Sequence, residues 1–299
     1  MNELKKDKIK KIVICPECKN GSLTVSENKY LCTNCNLDYS LLENTPILLE
    51  KKSKLNTFIK SHSSVKNYTL QEKILMSFKT PETRVWSLKS RLTIIKLLAS
   101  KNPDLPDNIV VNMGAGFEKI FQRTFSKYKQ IIKIGIPHIG QVDIIGDAMN
   151  LPLKSNSIDL ILNSSIIEHL ENPEIAIDEI YRTLKPGGKV YVEIPFMRAY
   201  HMIPNDFQRY TISGIEKVFE RHGFKMIQKG VCSGSFTAFA LFLRDFFESI
   251  TPGVFLSSIV RIFLTYLLHP IKYLDLFFEN KKRLENLACN FFYVGKKLN

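Results

Sequence analysis

The sequence predicts an α/β fold with a mostly parallel sheet, preceded by a small metal-held module. Three observations carry that reading. Short apolar runs alternate with helix-like segments between residues 108 and 232, and repeating βα units imply a parallel sheet. The first run, residues 109–113, ends at Gly114-Ala115-Gly116 and is followed by a helix-like segment. That context lets a backbone pass close to a ligand at a helix N-terminus. Upstream, Cys15-Pro16-Glu17-Cys18 and Cys32-Thr33-Asn34-Cys35 are two Cys-x-x-Cys pairs.

The paired cysteines open the chain. Two residues between thiolates let both sulfurs reach one ion from a tight turn, and two such turns complete a tetrahedron. Cys15, Cys18, Cys32 and Cys35 are therefore expected to hold a structural zinc. A redox role competes, but redox Cys-x-x-Cys motifs do not normally come in pairs. Residues 23–25 and 30–31 would form a hairpin turning at Glu27-Asn28. With so little core, the module should need its metal to fold. Cys232 and Cys289 are expected to be buried thiols. Tight cysteine pairs in place of a disulfide framework point to the cytosol. The first eleven residues are charged, with no apolar run before a cleavage site, so no signal peptide is expected there.

The formal net charge is +13, and the excess is uneven: residues 1–100 hold 18 Lys/Arg against 9 Asp/Glu. One reading is a solvated lysine-rich surface. The other is a basic module that meets phosphates or anionic lipid heads. The scattered lysines, not interleaved with aromatics, favour the first.

The expected organisation is a ribbon over residues 12–50, a polar linker with some helix over 51–81 and a larger domain over 82–299. Residues 82–100 have helical spacing, with Val85, Leu88, Leu92, Ile95 and Leu98 on one face. Trp86 reads as a core or lid residue. Strands are expected at 109–113, 131–134, 142–145, 158–162, 190–194, 225–231 and 290–295, seven in all. A helix over 173–184 opens with Asn172-Pro173, a good N-cap and first-turn pair.

The run Gly114-Ala115-Gly116, Gly146-Asp147-Ala148-Met149-Asn150-Leu151-Pro152, Ser157-Ile158-Asp159-Leu160-Ile161, Ile167-Glu168-His169-Leu170 and Leu184-Lys185-Pro186-Gly187-Gly188 carries a resemblance. In order and spacing it is similar to class I, type 11-like S-adenosylmethionine (AdoMet)-dependent methyltransferases. The resemblance covers residues 108–232 and implies a Rossmann-like seven-stranded sheet. It also implies that Gly114, Ala115 and Gly116 hold the methionine part of AdoMet. Asp147 and Ala148 would flank adenine, Asn163 would lie near the methyl group, and Glu168 and His169 would border the acceptor. Residues 12–50 resemble the small zinc-ribbon protein that activates tRNA and protein methyltransferases, a ribbon that is also found fused to its enzyme.

The pattern breaks at two places. An acid should end the second strand to accept hydrogen bonds from ribose hydroxyls. Counting gives Gly135, and no Asp or Glu occurs from Lys119 to Val142. The acid that often precedes the glycine loop is Asn112 here. A non-catalytic scaffold is therefore an alternative to a weakly binding enzyme.

The strip from Pro195 to Thr211 should lie over the acceptor mouth. His169, His201 and Asp206 are the candidate catalytic residues, and Arg198 and Arg209 could grip an anion. Competing roles are a structural hydrogen bond for His169 and an ion pair between Asp206 and Arg209. The strip from Pro204 to Thr211 resembles methyltransferases found among surface-glycan genes, which implies a hydroxyl or carboxyl on a glycan or lipid-linked sugar as acceptor. The ribbon is also similar to that of a group of rRNA guanine methyltransferases, so an rRNA or tRNA acceptor is the alternative. Residue 163 opens Asn163-Ser164-Ser165-Ile166, not the Asn/Asp-Pro-Pro-aromatic strip of nucleobase amino-methylases.

An apolar insertion over 236–287 separates the last two strands, with Arg261 the only Lys, Arg, Asp or Glu between Ser249 and Lys272. Three readings stay open: a packed helical cap or homodimer face, an interfacial element at the inner membrane face, and a span. In the second, Arg244, Arg261, Lys272 and Lys281-Lys282-Arg283 would meet anionic lipid heads. The expected location is cytoplasmic, with peripheral membrane contact in that second case.

Overall fold

The computed structural model describes residues 2–26, 29–62, 80–114, 128–136, 142–201 and 205–298. The expected turn at Glu27-Asn28, the helix after the glycine loop, Ala115, Gly116 and Pro204 lie outside them.

Among the described residues eleven strands form one sheet, in the order β1-β2-β3-β4-β7-β6-β5-β8-β9-β11-β10. Seven of them are the expected core: β5 (Val110–Met113), β6 (Ile132–Gly135), β7 (Ile144–Gly146), β8 (Ile158–Ser164), β9 (Leu184–Pro195), β10 (Phe224–Ser233) and β11 (Asn290–Lys297). Pairing within β7-β6-β5-β8-β9 is parallel, and β11 runs antiparallel between β9 and β10. The carboxyl ends of the parallel strands therefore share one rim. Ser233 pairs with Asn290, and Asn290 with Pro195, so the insertion leaves the sheet at that rim.

Helices cover both faces, as a parallel sheet requires. On one face α3 (Leu88–Ser100) packs Ile94, Leu97 and Leu98 beside Trp86 against Val110, Leu160, Leu162 and Phe292. Of the expected face Leu98 is buried, but the rest is corrected. Leu88, Leu92 and Ile95 are exposed, and the helix begins only after Ser87, which caps it. The helix carries two apolar stripes, and the sheet takes the one that includes Ser90, whose hydroxyl lies 2.8 Å from the Tyr191 hydroxyl. The opposite face takes α4 (Pro173–Thr183), α5 (Ile212–Arg221) and an N-terminal helix, α1 (Glu3–Ile12).

In that first helix Lys6, Lys10 and Lys11 are exposed, as expected of a solvated surface, but two lysines are not. Lys8 is 1% exposed and its ammonium donates to the carbonyls of Pro103, Leu105 and Asn108 at 2.5–2.7 Å. Lys5 pairs with Asp143 at 2.6 Å. Both lysines hold the helix to the core, neither as solvated surface nor as a phosphate patch.

The ribbon comprises β1 (Leu23–Ser26), β2 (Lys29–Cys32), β3 (Asp38–Leu42) and β4 (Thr45–Leu48). β4 pairs in parallel with β7, Ile47 against Ile145 and Leu48 against Gly146, so the ribbon prolongs the core sheet. The chain then forms α2 (Lys54–His62) within the segment expected to be a linker with some helix.

The insertion folds into α6 (Ser235–Ile250) and α7 (Val254–Leu268), followed by short turns of helix. Asp275 accepts the Phe236 and Thr237 N–H groups and the Thr237 hydroxyl, capping α6. Phe242, Val254, Phe263 and Phe277 are 62–83% exposed. The segment Val254–Phe277 is long and apolar enough to cross a membrane, with a mean hydropathy of 1.7. Three cations expected to meet lipid heads have partners within the chain, though Arg261 stays half exposed. Lys272 is buried and donates to the Glu82 carbonyl, Arg244 pairs with Asp245 at 2.5 Å, and Arg261 pairs with Glu248 at 3.6 Å.

Candidate functional site

The four ribbon cysteines converge. Cys15 and Cys35 place their sulfurs 3.6 Å apart, as do Cys18 and Cys32, and all four lie within 4.8 Å of one another. Sulfurs bound at 2.3 Å around a tetrahedral ion would be about 3.8 Å apart. Two matching knuckles produce this. Lys19 N–H donates to Cys15 O and Asn36 N–H to Cys32 O, with φ near 55° at Lys19 and Asn36. The Tyr39 hydroxyl lies 3.0 Å from Cys15 Sγ, and the N–H groups of Asn34 and Cys35 point at Cys32 Sγ at 3.4 Å. A Cβ on Gly21 would come within 2.1 Å of Cys32 Sγ, so the second knuckle needs glycine beside it. A thiolate cage with such outer donors fits a structural zinc. Cys232 and Cys289 are fully buried thiols.

The second site is a cavity of about 510 Å³ at the carboxyl rim of the sheet. Gly114, Gly135, Asp147 and Ala148 line it, together with Met113, Ile134, Met149 and Ile166. Gly114 has φ 76°, and a Cβ there would come within 2.2 Å of Ile166 Cδ1. Only glycine satisfies both conditions. Asp147 accepts the Met149 N–H at 2.8 Å, and burial holds its carboxyl above the ordinary range. The end of β6 is Gly135, so no carboxylate faces the cavity there.

Asn112 and Asn163 sit on the two adjoining strands. Both are buried and neither is a lining residue. Asn163 has no hydrogen-bond partner for either side-chain atom among the described residues, a cost that a polar ligand would relieve.

The far wall comes from α2. Leu55 and Phe58 face the cavity, and Lys54 reaches Glu171 at 3.1 Å across its mouth. The spacing of the polar segment 51–81 gave no hint of this role, because a helix that roofs a cavity needs only one or two apolar side chains.

His169, Asn205 and Phe207 form one lip of the cavity. The strip after β9 is stitched to the turn after β8. Phe207 N–H donates to Glu168 O at 2.8 Å, and Gln208 Nε2 to the carbonyls of Ile167 and Leu170. His169 Nδ1 lies 2.5 Å from Asn205 O, and its ring stands edge-on to His201 with centroids 5.2 Å apart. Burial holds the His201 imidazole below its ordinary pKa. His201 and Asp206 stand behind the lip, not in the wall. Asp206 is committed: Arg209 Nη2 donates to it at 2.6 Å and His201 N–H at 2.8 Å. Burial raises the Asp206 carboxyl, but these donors outweigh it and leave the group below the ordinary range.

Sequence reasoning passed over Glu193. It is fully buried on β9, accepting from Ser164 Oγ at 2.8 Å and Arg84 Nη1 at 3.0 Å. An acid in the middle of the apolar run Val190-Tyr191-Val192-Glu193-Ile194 was the available signal. Glu168 is buried beside it, and burial pushes its carboxyl up to about 8.

A family model described as a methyltransferase domain matches residues 121–192, across the strands that build this cavity. That stretch of the chain is therefore similar to methyltransferase domains. It is 34% identical over 86 residues to a ubiquinone/menaquinone biosynthesis C-methyltransferase of Ruegeria sp., covering 29% of this chain and 30% of that protein. An uncharacterised protein of Methanocaldococcus jannaschii is 29% identical over 174 residues, covering 56% of this chain and 73% of that one. The chain thus spans under a third of the first relative's length. Among solved structures it is similar to a phosphoethanolamine N-methyltransferase 2 of Haemonchus contortus in complex with S-adenosyl-L-methionine. The TM-score is 0.45 and the identity 17%, over 81% of this chain and 60% of that one. The residues fit the cofactor of the methyltransferase domain. Gly114 clears the approach, and Asp147 and Ala148 lie in the same cavity wall.

Proposed function

We propose that this protein transfers a methyl group from AdoMet to an oxygen of an amphiphilic acceptor, a hydroxyl or carboxyl on a glycan or lipid-linked sugar. The observation that carries this reading is the shared rim: the α6–α7 hairpin, with its exposed aromatic face, leaves the sheet at the end where the cavity opens. A hairpin resting in a headgroup layer would bring such an acceptor to the donor without a spanning helix. Lys281, Lys282 and Arg283 are exposed beside it and suit an anionic surface at the cytosolic membrane face. The internal use of Lys5 and Lys8 weighs against an RNA acceptor bound by the basic N-terminus.

AdoMet supplies a methyl on a sulfonium, already a good electrophile, so the chain has to align, desolvate and handle a proton. In this reading Gly114, Asp147 and Ala148 hold the donor. Phe207 and the α2 roof exclude water. The His169 imidazole faces the acceptor, His201 stands behind it, and Asp206 with Arg209 positions His201.

Flotation with anionic vesicles tests the acceptor class. The protein should float at low salt, and Phe242→Ser with Phe263→Ser should abolish flotation while AdoMet binding stays intact. Recovery of the parent wholly in the soluble fraction would exclude the membrane-borne acceptor. Methyl transfer to RNA in preference to a lipid-linked sugar extract would replace it.

A further inference from the structure

The turn after β8 and the strip after β9 assemble three donors that alignment alone does not require: Glu168, His169 and His201. One ligand atom of each lies within 4.8 Å of the other two. Glu168 is fully buried, and neither of its carboxylate oxygens has a hydrogen-bond partner among the described residues. His169 Nε2 is 3.8 Å from Oε1, beyond hydrogen-bond reach. The cations that face this carboxylate are Arg84 and Arg209, and they are bound by Glu193 and Asp206. A buried carboxyl left without partners is costly, and a ligand would relieve that cost.

We propose that Glu168, His169 and His201 bind a divalent transition cation at this lip of the cavity. The ring nitrogens are set for it. His169 Nδ1 meets the Asn205 carbonyl at 2.5 Å, so it carries the proton and leaves the Nε2 lone pair toward Glu168. His201 Nδ1 faces the Ala199 carbonyl at 3.1 Å and Asp206 Oδ2 at 3.3 Å, two acceptors, which leaves its Nε2 free to ligate. Arg209 Nη2 also approaches that Nδ1, at 3.3 Å, but donates to Asp206 at 2.6 Å. Outer carbonyl and carboxylate partners of this kind orient metal-binding histidines. Ligand atoms about 2.1 Å from one ion stand at most about 4.2 Å apart, so small side-chain rotations complete the shell. Two imidazoles and one carboxylate select zinc, manganese or iron over calcium or magnesium.

Three protein ligands leave a coordination position open toward the cavity, where His169 is a lining residue. An acceptor oxygen in that position loses its proton to water more readily. Its lone pair then takes the methyl carbon as the carbon–sulfur bond breaks, leaving the thioether. This consequence rests on the oxygen-acceptor reading above; the ion site itself does not.

Calorimetric titration separates the two. Full-length protein with its ribbon already loaded with zinc is titrated with Zn²⁺ and with Mn²⁺, without AdoMet or acceptor. One further ion per chain should bind, zinc more tightly than manganese. Glu168→Gln and His201→Ala should each weaken it at least about a hundredfold, with AdoMet binding unchanged as the control for folding. Glu168→Asp should restore part of the affinity. No ion beyond the ribbon zinc with either cation, or a second ion that survives both variants, overturns the proposal whatever the acceptor proves to be.

Discussion

Gly135→Asp restores to β6 the acid that this cavity lacks, and its outcome can be worked from the structure. A Cβ at Gly135 would lie 3.7 Å from Gly114 Cα and from Val142 Cγ1, and 3.8 Å from Gly114 N. These are ordinary contacts, so the side chain enters without moving the backbone. A hydrogen bond from a ligand hydroxyl to a carboxylate contributes about 1.5–3 kcal/mol. Part is offset, because Glu50, Asp147 and Glu171 already line the cavity and Lys54 is the cation among them. A net gain of about 1–2 kcal/mol corresponds to a dissociation constant lower by roughly five- to thirtyfold. Calorimetry with AdoMet and with its uncharged thioether product measures it. Both ligands share the ribose, so both should gain by a similar factor. A gain for AdoMet alone would be attraction to the sulfonium. Gly135→Ala should gain nothing. An unchanged or weaker dissociation constant in a folded Gly135→Asp protein refutes the reasoning. Failure of both proteins to bind AdoMet would favour the non-catalytic scaffold.

Three further outcomes follow from the packing. Cys32→Ser should release the thiolate-held zinc and weaken AdoMet binding, since the ribbon leads through β4 into the α2 roof; metal analysis with the same calorimetry reads both. Leu98→Ala should cost about 2–5 kcal/mol in denaturant unfolding and Leu92→Ala under about 0.5, because Leu98 is fully buried and Leu92 is 43% exposed. Asp159 accepts from the Ile109 N–H, Lys185 and Lys101 at 2.7–3.1 Å. Burial raises its carboxyl, and these donors together reverse that and hold it below the ordinary range. Its stabilisation is complete above the unfolded carboxyl range and disappears as pH falls through the depressed folded value. Asp159→Asn should therefore cost about 1–2 kcal/mol at pH 7, discounted for the partly exposed lysines, and progressively less in acid unfolding measurements below about pH 4.

The sheet was legible because its strands are short apolar runs closed by glycine, proline or asparagine, and a buried strand leaves little else to choose. The cysteine pairs were legible because a tetrahedral ion constrains ligand spacing within a knuckle. Gly114 and Asp147 could be placed because backbone conformation and strand ends fix them. The active face of α3 was not, since Leu88, Leu92 and Ile95 repeat as regularly as Ile94, Leu97 and Leu98. Periodicity finds a stripe but cannot say which of two stripes a sheet will cover. The roles of Lys8, Glu193 and Phe58 depend on partners far along the chain, and no local pattern carries that information.

The parallel join of β4 to β7 has a consequence for how the chain is made. Residues 47 and 145 meet across about a hundred positions, so the ribbon's cysteines emerge and can take up metal well before their docking strand exists. Until then β4 offers an unpaired row of amides and carbonyls. Once β7 arrives, each strand covers the other's bare edge. Open edges recruit other chains into non-native sheets. A fragment cut at residue 50 would therefore leave β7 bare, and its expected failing is clumping during synthesis, before any loss of chemistry can be measured.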